Sequence, residues 1–152
     1  MIQRIQTIWL LLAAMTISLL FFLPMVTATS GTTGHEIYAT GLYQKIGSQS
    51  TQVESNMPLT VMTIAVALMV LINIFNFRKR EAQKKIIIAS IVFIIALSFW
   101  CSRFAQKIPE GLENADYKAG MFLPVVAIFF CILALRGIRN DEKLLRSADR
   151  LR

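Results

Sequence analysis

The stretch from Pro58 to Trp100, PLTVMTIAVALMVLINIFNFRKREAQKKIIIASIVFIIALSFW, decides the fold. At its centre Arg78 to Lys85 (RKREAQKK) carries five positive charges and one negative charge. A long apolar run abuts that centre on either side, Pro58 to Phe77 before it and Ile86 to Trp100 after it. No packed soluble core readily explains two such runs joined by so short a basic link. A membrane hairpin does, with its turn on the cytoplasmic side, because short Lys/Arg-rich loops stay there. Ile86 to Trp100 is short for a span, but Lys84, Lys85 and Arg103 can snorkel and extend it.

Two further apolar runs lie outward from the hairpin. Near the start, Arg4 precedes an uncharged stretch from Ile5 to Val26. A cleaved secretory signal would share its positive start and small residues, but the run is longer than a signal core and suits a membrane span. Towards the end, Gly120 to Leu135 forms a fourth span, with Pro124 in its first turn. The spans fall at about 5–26, 58–77, 86–101 and 120–135. They leave outer loops at 27–57 and 102–119, an inner turn at 78–85 and a tail at 136–152, all in one membrane domain.

Charge sets the orientation. Twelve Lys/Arg lie in the expected inner segments and four in the outer loops. That asymmetry places both termini in the cytoplasm. The formal net charge of +7 sits at the ends of apolar runs, where it orients helices and meets anionic lipid, so nucleic acid is not an expected partner. The fold expected is an all-α membrane protein of four transmembrane helices in a bacterial inner membrane.

The polar segments add detail. Within the first outer loop, HEIYATGLYQKI reads as two short strands around Thr40-Gly41, with Ile37, Tyr38, Leu42, Tyr43 and Ile46 available to pack. A small periplasmic β-ribbon is therefore allowed, as a cap on the helices or a partner-docking surface. In the tail, Gly137 can loosen the helix and Asn140 can cap a new one, followed by Asp141 and Glu142. Ile138, Leu144, Leu145, Ala148 and Leu151 fall largely on one side, as in an amphipathic C-terminal helix against the membrane surface or a partner. The contact candidates are Arg139, Lys143, Leu144, Leu145, Arg146 and Arg150. Asn73 and Asn76, three apart on one helical face, are candidates for polar contacts between helices.

Both ends resemble a known family. The start MIQRIQTIWLLLAA, the end RGIRNDEKLLRSADRLR and the segment Gly120-Met121-Phe122-Leu123-Pro124 are similar to domain of unknown function 4293, small four-helix membrane proteins of Bacteroidota. The resemblance spans the whole chain and implies an inner-membrane location. It brings no activity and no catalytic residues.

Little in the sequence points to chemistry. His35, the sole histidine, has only Glu36 beside it, and Cys101 and Cys131 make neither a metal pattern nor a redox one. Cys131 lies about 15 Å deeper than Cys101 at the helical rise, which argues against a disulfide. No catalytic residue, metal or cofactor is expected. The four spans hold no Asp, Glu, Lys, Arg or His, whereas transporters and channels usually carry such groups. The function expected is thus a non-enzymatic accessory or scaffold subunit of an inner-membrane complex, in protein export or envelope biogenesis, with an integral-membrane partner. A small oligomeric transporter or channel is the alternative, and an enzyme acting on lipid or quinone ranks below both.

Overall fold

The computed structural model describes residues 3–30, 33–47, 49–106 and 115–149. Its helices are α1 (Gln3–Ser18), α2 (Met57–Ile74), α3 (Arg80–Ala105) and α4 (Leu123–Asp149). Its strands are β1 (Val26–Ser30), β2 (Thr33–Tyr38), β3 (Gly41–Ile46), β4 (Gln49–Ser55) and β5 (Ala115–Tyr117). Three helical stretches, Met57–Ile74, Arg80–Ala105 and Ala119–Leu144, are long and apolar enough to cross a membrane. The first apolar stretch, Ile5–Phe21, is shorter. This is the make-up of a membrane protein.

Each helix packs on its neighbour in sequence, and α4 closes the ring against α1. Small residues are buried on both α1 and α4, whose seam also carries the stacked Trp9 and Phe130 rings. Ala13 and Ala14 of α1 and Ala127, Cys131 and Ala134 of α4 are all buried. Small side chains let helix backbones approach closely, and dispersion and packing then hold them where lipid provides no hydrophobic drive. On α4 the buried positions 127, 131, 134 and 138 recur at helical period, so one stripe faces inward. Val61, Leu68, Ile72, Val92, Phe99, Val125 and Phe129 are exposed, as suits helices bathed in hydrocarbon.

The expected all-α architecture is overturned by a five-stranded antiparallel sheet in the order β4-β3-β2-β1-β5. The strands read around Thr40-Gly41 are β2 and β3, but they form the middle of this sheet, not an isolated ribbon. β1 is paired on both edges, Val26 opposite Ile37 of β2 and opposite Tyr117 of β5. Two loops far apart in sequence are thereby joined into one element. The side of the sheet bearing Val26, Ala28, Ile37 and Leu42 is buried in the same apolar cluster as the helices.

Backbone hydrogen bonds fasten the sheet to the bundle. The Ala39 N–H donates to Leu20 O at 3.4 Å, the Asn56 N–H to Thr40 O at 3.1 Å and the Gly120 N–H to Pro24 O at 3.1 Å. Asn56 caps α2, its Oδ1 accepting from the Leu59 N–H at 3.3 Å. A 3₁₀ turn over Leu19–Phe21 ends the first helix before Pro24.

The tail is also corrected. It forms no separate amphipathic helix, because α4 runs unbroken through Gly137 and Asn140 to Asp149. Ile138 and Asp141 are buried in the bundle, so this part of the tail extends the four-helix core. The basic run is likewise mostly helical. After a 3₁₀ turn over Phe75–Arg78, only Lys79 precedes α3.

Two glycines are fixed by close approach. At Gly41, φ is +148° and an added Cβ would lie 2.1 Å from Glu54 O. At Gly120 it would lie 2.6 Å from Pro24 O and 2.8 Å from Leu23 O. Gly34 has only ordinary contacts, the nearest 3.8 Å away. Gly41→Ala and Gly120→Ala are each expected to destabilise the protein by about 1–3 kcal/mol. Gly34→Ala should stay within about 0.5 kcal/mol. Thermal unfolding in mild detergent would check the order, and a Gly34→Ala loss equal to the others would refute it.

Candidate functional site

Polar side chains gather at the end of the bundle opposite the sheet. Asn73, near the close of α2, is 1 % exposed. Its Nδ2 donates to Gln83 O at 3.2 Å, and Gln83 Nε2 donates back to Asn73 O at 3.4 Å. Next to Gln83, Lys84 ion-pairs with Glu142 of α4, Nζ lying 2.8 Å from Oε1 and 2.9 Å from Oε2. Next to Glu142, Asp141 accepts a hydrogen bond from Nε2 of Gln6 on α1. Gln6 and Asp141 are each only 7 % exposed.

The pattern follows from helical geometry. Consecutive residues point about 100° apart around a helix. In a ring of four helices, adjacent side chains can therefore serve two different neighbours. Gln83 faces α2 while Lys84 faces α4, and Asp141 faces α1 while Glu142 faces α3. Three of the four helix–helix seams are thus stitched at one level. Gly137 makes room, because an added Cβ there would lie 3.2 Å from Gln6 Cγ.

Two atoms in this belt lack hydrogen-bond partners, Asn73 Oδ1 and Asp141 Oδ1, although both are buried. Asn73, Asn76 and the apolar Ala65, Leu68, Met69, Ile72, Ile86 and Ala89 line a groove of about 510 Å³ between α2 and α3. Asn76 is half-buried in the 3₁₀ turn, with φ −80° and ψ 18°.

The remaining sequence candidates lie on the last turns of α4. Arg139, Lys143 and Leu144 are exposed. Leu145 and Arg146 lie within α4, their side chains outside the described residues, and Arg150 also lies outside the described residues. Gln6, Gln83 and Asp141 are members of the belt that sequence reasoning missed. A signal existed for two of them. Gln6 precedes Leu10, Ala13 and Ile17, and Asp141 follows Ala134 and Ile138, at the spacing of the buried stripes.

A second polar group sits on the open side of the sheet. Tyr38 donates to Glu36 Oε2 at 2.9 Å, Lys45 Nζ lies 3.9 Å from Glu36 Oε1, and Thr40 Oγ1 lies 3.0 Å from the Tyr43 hydroxyl. Tyr38 and Tyr43 meet edge to face at 5.3 Å. Burial pushes the Tyr38 phenol above its ordinary pKa, and the neighbouring Glu36 adds to the rise. His35 is half-buried in β2 with Nδ1 unpaired. Among the described residues, no three His, Cys, Asp or Glu side chains come together as metal ligands would.

The polar belt predicts a specific coupling. Gln6→Leu and Asp141→Leu should each destabilise by about 1–3 kcal/mol, because either leaves a buried polar partner unsatisfied. The double substitution should restore part of that loss. Unfolding of the four-protein cycle in detergent checks this, and simple additivity would mean the pair is uncoupled.

No curated protein matches the chain. A family model described as "Domain of unknown function (DUF4293)" matches residues 2–151. The chain therefore belongs to the DUF4293 family.

Proposed function

We propose that the protein is a non-enzymatic accessory or scaffold subunit of a bacterial inner-membrane complex, serving protein export or envelope biogenesis. In this reading all four helices cross the membrane, both termini lie in the cytoplasm and the sheet stands in the periplasm. The short first helix fits a full crossing because it lies antiparallel to α4 along its length. Gln6 meets Asp141 at one end, and Gly120 bonds Pro24 at the other. The excess of Lys/Arg at the end opposite the sheet supports the orientation.

The observation that carries the functional reading is the exposed edge of the sheet. All seven residues of β4 are exposed, and β4 is the last strand of the sheet. A strand edge offers a row of backbone donors and acceptors to another chain. Natural edges are often protected by Lys, Pro or a covering element. The sequence of β4, QSTQVES, holds neither Lys nor Pro, and its one charge, Glu54, and the one register shift of the β3–β4 pair lie together at the end next to α2. The sheet is thus suited to dock an integral-membrane partner outside the bilayer.

Topology is tested by single cysteines in a protein whose Cys101 and Cys131 are replaced by Ala. A membrane-impermeant maleimide should label Ser50→Cys on intact spheroplasts and Ser147→Cys only after permeabilisation. Labelling of both from one side would end the four-crossing reading.

The docking role is tested by mild-detergent purification of the protein expressed at its native level, with mass spectrometry of what accompanies it. A stoichiometric inner-membrane partner is expected, and Thr51→Pro should reduce its recovery at least fivefold while the protein stays in the membrane. A pure homo-oligomer that passes solute in liposomes would overturn the subunit reading in favour of a transporter.

A further inference from the structure

The groove between α2 and α3 joins three features. Its walls are almost wholly apolar, with Ala65 and Ala89 leaving space between larger side chains. Its lining runs along α2 from Ala65 to Asn76, about 17 Å at the helical rise. That length is close to half of a hydrocarbon core about 30 Å thick, the depth of one leaflet. Its inner end is polar, with Asn73 Oδ1 unpaired and Asn76 half-buried beside it.

Three cations, Lys79, Arg80 and Lys85, adjoin that end in the chain, with one acid, Glu81, among them. The Lys79 N–H donates to Asn76 O at 3.0 Å, which places Lys79 at the mouth. Arg80 follows it, and Lys85 adjoins the lining residue Ile86, one turn before Ala89. Lys84 is neutralised by Glu142. Lys79, Arg80 and Lys85 have no acidic partner among the described residues. A basic cluster at the headgroup level beside an apolar cleft matches an anionic lipid in both charge and shape.

We propose that this groove is a binding site for one anionic phospholipid of the leaflet at the basic end. One acyl chain lies between α2 and α3, and the phosphate meets Lys79, Arg80 and Lys85. The inference rests on the reading that the helices span a bilayer with the basic end at a headgroup layer.

Native mass spectrometry of the purified full-length protein, incubated with equimolar phosphatidylglycerol and phosphatidylcholine, tests it. The protein should retain one phosphatidylglycerol with at least fivefold preference. Ala65→Phe, on an exposed wall of the groove, should reduce that occupancy at least fivefold. Val61→Phe, exposed on the same helix but outside the groove, should leave it unchanged. Replacing Lys79, Arg80 and Lys85 with Gln should bring the two lipids to parity.

Equal retention of both lipids by the natural sequence, or equal effects of Ala65→Phe and Val61→Phe, would overturn the site. The assay is independent of which compartment faces the basic end. A reversed maleimide pattern would therefore move the lipid to the other leaflet without removing it. Labelling of both cysteines from one side would instead remove the spanning reading beneath it.

Discussion

Strand β1 is hydrogen-bonded on both edges, and the arrangement of the rest depends on that double pairing. At this end of the bundle four helix termini meet, two ends and two starts, and each exposes backbone groups that need partners. β1 answers for two of the loops at once. Pairing with β2 holds the first loop, and pairing with β5 brings the second loop onto the same sheet. Gly120 then seats against Leu23 and Pro24, which fixes the start of the last helix beside the end of the first. The seam between α1 and α4 follows from that placement.

The opposite end is held by different means. There the chain has little loop to pair, since a 3₁₀ turn and one residue separate α2 from α3. Side chains take the role of the strands. Amide-to-backbone bonds join α2 to α3, an ion pair joins α3 to α4, and Gln6 and Asp141 join α4 to α1. Between the two clamped ends the core is mostly Ala, Leu, Ile and Val, with Thr63 and Ser90 bonding back to their own helices. Polar satisfaction at the ends and close apolar packing between them divide the work of specifying the bundle.

How much of this was legible in the sequence depended on the range of the signal. The helical hairpin and its basic link were legible because apolar runs and charge are local. The β2–β3 turn was legible from Thr40-Gly41 and the apolar residues around it. The other strands gave little local sign. β4 is exposed along its whole length, so its sequence lacks the two-residue alternation that marks a half-buried strand. β1 hides at the end of an apolar run, and β5 is three residues long. The α4 extension was misread because Asn140, Asp141 and Glu142 look like a helix start. Among the described residues it is the distant Gln6 that bonds the buried Asp141 within this helix, and nothing local in the sequence announces that pairing. Of the polar belt, Asn73 could be read from its position in an apolar run, whereas its partner Gln83 sat inside what looked like a charged turn.

The two partners of β1 also impose an order on assembly. The chain is made from its N-terminus, so β1, β2, β3 and β4 are all available well before β5 exists. β5 comes after α3, and it can reach β1 only once the second loop stands on the same side as the first. Until then β1 has one open edge, and the end of α1 has no Gly120 to rest against. Closure of the sheet therefore waits for the second loop, and β5, the last strand made, sets the starting point of α4, the last helix to follow.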